Sequence, residues 1–257
     1  MKRIIILFLA FFAITSVKAN KEETTVTIEY SNLQETVISV ELGTWSISDG
    51  CLLLKDGTPL LIKGAPDLLK LTKSIIIPDK ARMKIEVVSS SFHEFHNVDI
   101  LPSKGNLYRN INPDDVALKY GEYYQKDTFF PAEVAELRTP HIVRNFRGQT
   151  AVIYPFQYNP VKKTLRVYEN IQLKISAIDN YGVNTLIRSK FPNTITKDFE
   201  WIYEKHFANY SLIKSAMMYS PVSEQGDMLI IYHQDFWNAL QPFIKWKKLK
   251  GIHVTSE

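Results

Sequence analysis

The chain has 257 residues, of which 45% are hydrophobic and 23% are charged, and its formal net charge is +4. This is the composition of a soluble globular protein, long enough for one large domain or for one domain and a fragment of another. The positive charges are scattered, so no Lys/Arg block predicts nucleic-acid binding. The single cysteine, Cys51, excludes an internal disulfide. Because Cys51 begins the apolar run 51–54, we expect a buried and inert thiol.

The N-terminus has the three parts of a secretory signal peptide. Residues 1–3 carry positive charge, residues 4–17 are almost wholly apolar, and residues 17–19 place small side chains at both ends of a cleavage-type tripeptide. The apolar run is shorter than the roughly 20 residues that a membrane-spanning helix needs. We therefore predict cleavage after Ala19, export to the periplasm, the medium or the cell surface, and no transmembrane segment after signal removal.

From residue 24 to about residue 177 apolar and polar side chains alternate with a period of two. Such alternation is typical of strands with one buried face. Turn-forming Gly, Pro, Asn and Asp residues separate the runs at short intervals, which favours an antiparallel sandwich or barrel. The alternating apolar positions are Val26, Ile28 and Tyr30; Ile38, Val40 and Leu42; Met83, Ile85 and Val87; Leu165 and Val167; and Ile171, Leu173 and Ile175.

The pattern changes after residue 198. Helical spacing is shown by four apolar residues, Phe199, Ile202, Tyr203 and Phe207. A loose segment at 215–226 then is a candidate domain boundary. The sequence therefore predicts a short helical segment between the β-rich part and whatever follows the boundary.

A different kind of unit follows the boundary. Residues 228–232 form a continuous apolar run, typical of a strand buried on both faces. A helical pattern then begins near Phe236 and ends at Gly251, and another strand starts at residue 252. Strand, helix and strand in this order predict the start of a parallel α/β sheet. Because such a sheet needs several units, we expect either that the sequence is cut short or that the fragment packs on something else.

Several segments, in this order along the chain, resemble the propeptides of gingipain-type cysteine peptidases. The tail of the chain is similar to the first residues of the gingipain catalytic domain. The similar segments of the tail are 219–222, 228–231, 246–247 and Gly251. The propeptide segments are 85–90 (IEVVSS), 102–105 (PSKG), Arg109, 112–114 (NPD), 120–121 (YG), 129–131 (FFP), 147–149 (RGQ) and 155–160 (PFQYNP).

The resemblance implies a zymogen with a signal peptide at 1–19, a mainly β, sandwich-like propeptide at 20–218 and the beginning of a catalytic domain at 219–257. In this family the propeptide assists folding of the peptidase and blocks its active site. The peptidase has a caspase-like α/β fold with a Cys/His dyad, which is expected beyond Glu257, so no catalytic residue is expected in this chain. We expect no cofactor in the chain, and any calcium sites belong to the full peptidase domain. The expected partner is the gingipain-like catalytic domain, in cis or in trans.

The family's inhibitory basic residue follows the Pro-Ser-Lys-Gly motif at 102–105, and the matching position here is Arg109. An arginine held on a rigid loop would enter an acidic specificity pocket as a substrate does, and its guanidinium would pair with the pocket carboxylate through two hydrogen bonds. Lys104 and Lys126 are weaker candidates for the same role.

The junction between the two domains departs from the family pattern. The family is processed just before the tyrosine that matches Tyr219, after a basic residue, but here the preceding residue is Met218. The nearest basic residue is Lys214. Three alternatives therefore stay open. Another protease cuts at the junction, or cleavage shifts to Lys214, or the propeptide stays attached.

Two other functions stay open from the sequence. The chain could be a complete, stand-alone inhibitor or chaperone of a peptidase in trans, or a β-rich binding module without a protease partner. Histidines give no strong metal signal. His93 and His96, three apart on a predicted strand, face opposite sides, and His233 is best interpreted as a loop residue.

Overall fold

The structure is a computed structural model that describes residues 22–189, 194–217, 220–222 and 226–257. The predicted signal peptide and its cleavage site at Ala19 lie outside these residues, as do Met218 and Tyr219. Within the described ranges, no helix is long and apolar enough to cross a membrane.

Strands dominate the first 180 residues and helices follow them. The helices are α1 (Lys197–His206), α2 (Tyr210–Met217) and α3 (Trp237–Leu249). In chain order the strands are β1 (Thr25–Ser31), β2 (Glu35–Glu41), β3 (Trp45–Ser48), β4 (Cys51–Leu54), β5 (Thr58–Pro59), β6 (Leu69–Ile76), β7 (Arg82–Phe95), β8 (Ala135–Leu137), β9 (His141–Val143), β10 (Phe146–Ile153), β11 (Phe156–Asn159), β12 (Thr164–Asp179), β13 (Thr194–Thr196), β14 (Ser220–Val222), β15 (Met228–Ile230) and β16 (Val254–Ser256).

Two antiparallel five-stranded sheets form the β-rich part. The first has the order β1-β2-β12-β11, with β7 on the other side of β12. The second has the order β5-β6-β10-β8, with β9 also paired to β10. One continuous core contains side chains from both sheets, such as Ile38 and Leu173 from the first and Ile75 and Ile153 from the second. The predicted antiparallel sandwich is confirmed.

Strand β12 carries both of the alternating runs that the sequence shows near residues 165 and 175. The ladder to β7 shifts register between Tyr168 and Asn170, where Glu169 is left over as a bulge. The chain therefore continues as a single 16-residue strand, which pairs with β2 and β11 along one edge and with β7 along the other.

The prediction of a buried thiol at Cys51 is wrong. Strand β4 alternates between exposed and buried positions, with Leu52 and Leu54 turned inward and Cys51 exposed. The apolar run contains a period of two that its uniform composition hides, because successive side chains of a strand face opposite sides.

The helical segment packs on the sandwich through a second hydrophobic cluster. Strand and helix residues share it: Ile76, Phe146, Ile195, Tyr203, Phe207, Tyr210 and Ile213. The helix predicted around Phe199 to Phe207 is confirmed as α1. Helix α2 was not predicted, because the sequence near residue 215 indicates only a loose segment.

Two arginines hold the segment that leads from β12 to the helices. Arg147 is fully buried, and its guanidinium donates hydrogen bonds of 2.7 to 2.9 Å to four backbone carbonyls, those of Pro78, Ala81, Val183 and Asn184. Burial lowers the pKa of Arg147. Arg188 forms a two-bond ion pair with Asp79, each bond being 2.7 Å. The segment is thus attached to the sandwich by side chains that carry charge at neutral pH.

The tail forms the predicted strand, helix and strand. Strands β15 and β16 are parallel, and α3 connects them. Gly251 adopts a φ of +80° just after the helix, as a glycine at a helix C-terminus does. The prediction that the first strand is buried on both faces is wrong. Leu229 of β15 is exposed, and Ile231, which follows the strand, is 80% exposed. Among the described residues β15 pairs with a single strand, β16.

Candidate inhibitory loop

A long loop at residues 101–121 has both of its ends fixed to the same short segment of backbone. Gly64 N donates to Ser103 O at 2.9 Å, and Ser103 N donates to Ala65 O at 2.8 Å. At the other end, Gly121 N donates to Gly64 O at 2.9 Å. The loop is therefore closed at its base by backbone hydrogen bonds.

Glycine is required where the loop ends cross. Gly64 has a φ of +79°, and a Cβ atom on Gly121 would lie 2.8 Å from Gly64 O. Gly105 has a φ of +81°, and its Cβ would lie 2.9 Å from the Cβ of Lys63. Side chains rarely adopt such φ values, and a backbone atom cannot move aside as a flexible side chain can. These glycines permit the close approach that closes the loop.

Arg109 lies in a tight turn between the two fixed ends. Ile111 N donates to Tyr108 O at 3.0 Å, so Arg109 and Asn110 occupy the two central positions of a β-turn. Arg109 is exposed, and Tyr108 beside it is 80% exposed. Arg109 forms no hydrogen bond or ion pair with any residue in the described part of the chain. Its guanidinium is available to a partner.

The two weaker candidates are engaged inside the chain. Lys104 donates to Pro113 O at 2.7 Å and so bridges the loop on either side of the turn. Lys126 lies outside the loop, 3.1 Å from a carboxylate oxygen of Glu122 and over the ring of Tyr123. Of the three predicted basic residues, Arg109 is the one whose charge has no partner within the described residues.

Partly buried groups support the base of the loop. Tyr124 donates its hydroxyl proton to Ile100 O at 2.7 Å, and its ring lies edge-on to Tyr120 with ring centroids 4.7 Å apart. Asp67 lies beneath the motif at 102–105, where its backbone N–H donates to Leu101 O. Its Oδ1 has no hydrogen-bond partner among the described residues. Burial raises the pKa of Asp67, and a hydrogen bond with Ser103 partly opposes this.

Sequence reasoning missed these supporting residues. Gly64 and Gly121 carry no signal that they contact each other, because they belong to separate turns. The glycine and proline at residues 64 and 66 could have marked a turn, and an aspartate in such a segment is ordinary for a turn. Nothing in the sequence shows that the carboxylate of Asp67 is partly buried.

Lys214, one candidate processing residue, lies within α2. Its ammonium forms an ion pair with Glu200 of α1 and lies 3.9 Å from Glu204. Immediately after the predicted junction, β14 pairs in parallel with β13, and Thr194 lies opposite Ser220. The backbone on the two sides of the predicted domain boundary is therefore linked by a strand ladder. Lys214, Met218 and Tyr219 stay predictions.

The three histidines at positions 93, 96 and 233 have ordinary contacts. His93 lies 3.5 Å from Glu169, and His96 Nδ1 lies 3.1 Å from the hydroxyl of Thr164. His233 lies 3.3 Å from Asp235. Among the residues that the structure describes, no group of three or more His, Cys, Asp or Glu side chains could hold a metal ion.

Comparison with protein families gives a match over most of the chain. The family model described as Propeptide_C25 matches residues 13–223. The chain belongs to the Propeptide_C25 family. The match covers the sandwich, the candidate loop and helices α1 and α2, so the resemblance to gingipain propeptides is confirmed.

Curated relatives of this Propeptide_C25 chain are gingipains of Porphyromonas gingivalis. Gingipain R2 is 40% identical over 186 residues, which are 72% of this chain and 24% of the relative. Lys-gingipain HG66 is 25% identical over 198 residues, which are 72% of this chain and 11% of the relative. The chain thus spans about a quarter of Gingipain R2 and about a tenth of Lys-gingipain HG66.

Solved structures agree with the fold. A chain from the complex of Porphyromonas gingivalis RgpB pro- and mature domains matches with a TM-score of 0.67 and 34% identity, covering 73% of this chain and 97% of that one. A structure on the zymogenic latency of gingipain K matches with a TM-score of 0.50 and 20% identity, covering 63% of this chain and 96% of that one. The second likeness supports the fold alone.

Proposed function

We propose that this chain is the N-terminal part of an exported, gingipain-like cysteine endopeptidase precursor. Its sandwich domain is a propeptide that inhibits the peptidase domain and assists its folding. Membership of the Propeptide_C25 family supports this proposal, as does the similarity to a chain from a complex of pro- and mature domains. The N-terminal signal pattern supports export. The partner is the catalytic domain, and the function requires no cofactor within this chain.

The observation that carries the proposal is the free guanidinium of Arg109 on a loop closed at its base. The turn at 108–111 presents the arginine outward, while Gly64 holds both ends of the loop. Because the loop is ordered before binding, little conformational entropy is lost when it docks. Arg109 would therefore enter the specificity pocket as a substrate arginine does, with its guanidinium forming two hydrogen bonds to a carboxylate.

A closed loop also explains how a substrate-like residue can inhibit. Cleavage requires the bond after Arg109 to reach the geometry for attack and the two products to separate. The backbone hydrogen bonds at Ser103 and Gly121, together with the Lys104 contact to Pro113, oppose both movements. The propeptide is then held in the active site longer than an ordinary substrate.

The test is inhibition of a gingipain-type peptidase that cleaves after arginine. Purified residues 20–218 are compared with the Arg109→Ala variant and with Lys119→Ala, a matched control that removes an exposed charge from the same loop. Truncating one partner of a buried charge pair costs about 2–5 kcal/mol, so Arg109→Ala should raise the inhibition constant by roughly 30-fold or more. Lys119→Ala should leave it within about threefold.

Other outcomes have defined meanings. If Arg109→Ala still inhibits, the residue that enters the specificity pocket would be Lys104 or Lys126 instead. No inhibition by a folded sample would remove the arginine-pocket mechanism and favour a lysine-specific partner or a binding module without a protease partner.

A further inference from the structure

Two histidines meet where the helical segment packs against the sandwich. His141 lies on β9 and His206 is the last residue of α1, and their Nε2 atoms are 2.9 Å apart. The rings are nearly perpendicular, with an interplanar angle of 82° and centroids 5.1 Å apart. Such a contact is a hydrogen bond in which one imidazole donates and the other accepts. It requires at least one of the two rings to be neutral.

His141 is half-buried and His206 is exposed. The ring of His141 stacks on that of Phe207 with an interplanar angle of 8°. A Cβ atom on Gly148 of β10 would lie 3.2 Å from His141 Nε2. Phe207 and the backbone at Gly148 limit the movement of the His141 ring on these sides while α1 stays docked.

The charged groups nearby offer no compensation for a second proton. No carboxylate of the described residues lies within ion-pair distance of either imidazole. The cations on the neighbouring elements are Arg144 after β9, Arg147 on β10, Lys197 and Lys205 on α1, and Lys214 on α2. The acidic groups of α1 are at Asp198, Glu200 and Glu204, and Glu200 forms an ion pair with Lys214, which also lies 3.9 Å from Glu204.

We propose that His141 and His206 form an acid-sensitive latch that holds α1 and α2 on the sandwich. When both imidazoles are protonated, the hydrogen bond is lost and two like charges face each other across a short distance. The docking of α1 then weakens. Helix α2 follows α1 directly, so acidification exposes the backbone of both helices.

The direction of the pH effect follows from the pKa of His141. Burial and the neighbouring His206 both lower this pKa from the ordinary histidine range. A group whose pKa is lowered on docking contributes stability that is present above the ordinary pKa, near 6.5, and is lost as the pH falls through the lowered pKa. The latch is closed at neutral pH and opens in mild acid. It does not depend on the role of Arg109, so its failure would leave the proposed function untouched.

Hydrogen exchange of the chain from residue 20 to residue 257 tests the latch. Protection of the amides at 197–217 is measured at pH 7.5 and pH 5.5, corrected for intrinsic exchange rates, and compared with that of β10. The expected result is a larger loss of protection at 197–217 than in β10. In His206→Gln this extra loss should become smaller, because the second imidazole that faces His141 is removed, while the burial of His141 still opposes its protonation. The control His233→Gln should retain the full extra loss.

Two results would overturn the proposal. One is equal loss of protection in both regions of the unaltered chain. The other is an unchanged extra loss in His206→Gln. If His206→Gln does not fold, His141→Gln is measured in its place, and the same criterion applies.

Discussion

The side-chain amide of Asn209 pairs with both backbone polar groups of Ile76. Its Oδ1 accepts from Ile76 N at 2.7 Å, and its Nδ2 donates to Ile76 O at 3.0 Å. Nδ2 also donates to Ser31 Oγ at 3.0 Å. Asn209 is fully buried between α1 and α2. The side chain of Asn209 thus provides hydrogen-bond partners for the backbone N–H and C=O of Ile76, the last residue of β6. It also joins the helical segment to both sheets.

Replacing Asn209 with alanine should therefore destabilise the domain strongly. The change leaves two buried backbone groups of Ile76 without partners, and each such group costs about 1–3 kcal/mol. We expect the free energy of unfolding, measured by urea denaturation, to fall by about 2–4 kcal/mol. Asn180→Ala, at an exposed turn position, should change it by less than about 0.5 kcal/mol. Equal effects of the two changes would contradict the role of Asn209.

Replacing Gly121 with alanine should open the base of the candidate loop. The new Cβ would lie 2.8 Å from Gly64 O, so the backbone must shift. We expect a loss of about 1–3 kcal/mol in stability and an inhibition constant raised by roughly tenfold, because the loop is less ordered before binding.

Gly226→Ala is the matched control for the loop glycine, with both variants made in the chain from residue 20 to residue 257. A Cβ atom at Gly226 would meet no atom within 4 Å, and Gly226 has no positive φ. Stability and inhibition should both stay within experimental error of the unaltered chain. If Gly121→Ala inhibits as strongly as Gly226→Ala, the fixed loop base has no part in inhibition.

Asp67→Asn should stabilise the domain at neutral pH and not in acid. Because burial raises the pKa of Asp67, the folded state favours the protonated carboxyl. The stability that this group contributes is fully present below the ordinary carboxyl pKa, near 3.9, and is lost as the pH rises through the raised pKa. The melting temperature of Asp67→Asn should exceed that of the unaltered chain at pH 7.5.

The difference in melting temperature should shrink toward zero as the pH approaches 4. Asp115→Asn, at an exposed position of the same loop, serves as the control and should show no such trend. A variant that is less stable than the unaltered chain at pH 7.5 would show that the charge of Asp67 is compensated.

The sandwich could be predicted because strands encode their buried face locally. Side chains such as Ile38 and Val40 of β2 alternate with polar neighbours, and both are buried as expected. In the uniformly apolar run at 51–54 no polar neighbour marks the exposed face, so the composition does not show that Cys51 is exposed. Whether one or both faces of β15 are buried depends on which elements pack against it. The composition of the strand itself does not contain that information.

The candidate site could be predicted only in part. The position of Arg109 follows from motif spacing, but the closed loop base depends on Gly64 and Gly121, which are far apart in sequence. Arg147 belongs to a recognisable motif, yet its complete burial depends on four carbonyls that only the fold brings together. Contacts of this kind arise from tertiary structure, so a local pattern does not report them.

The central claim is that Arg109 occupies the specificity pocket of a peptidase. The most direct measurement is the affinity of residues 20–218 for an arginine-specific gingipain-type peptidase, with the pocket free and with it blocked by a covalent arginyl inhibitor. The account predicts that blocking weakens binding by roughly 30-fold or more, and that Arg109→Ala binds the free and blocked enzymes equally. Unchanged affinity for the blocked enzyme would contradict it.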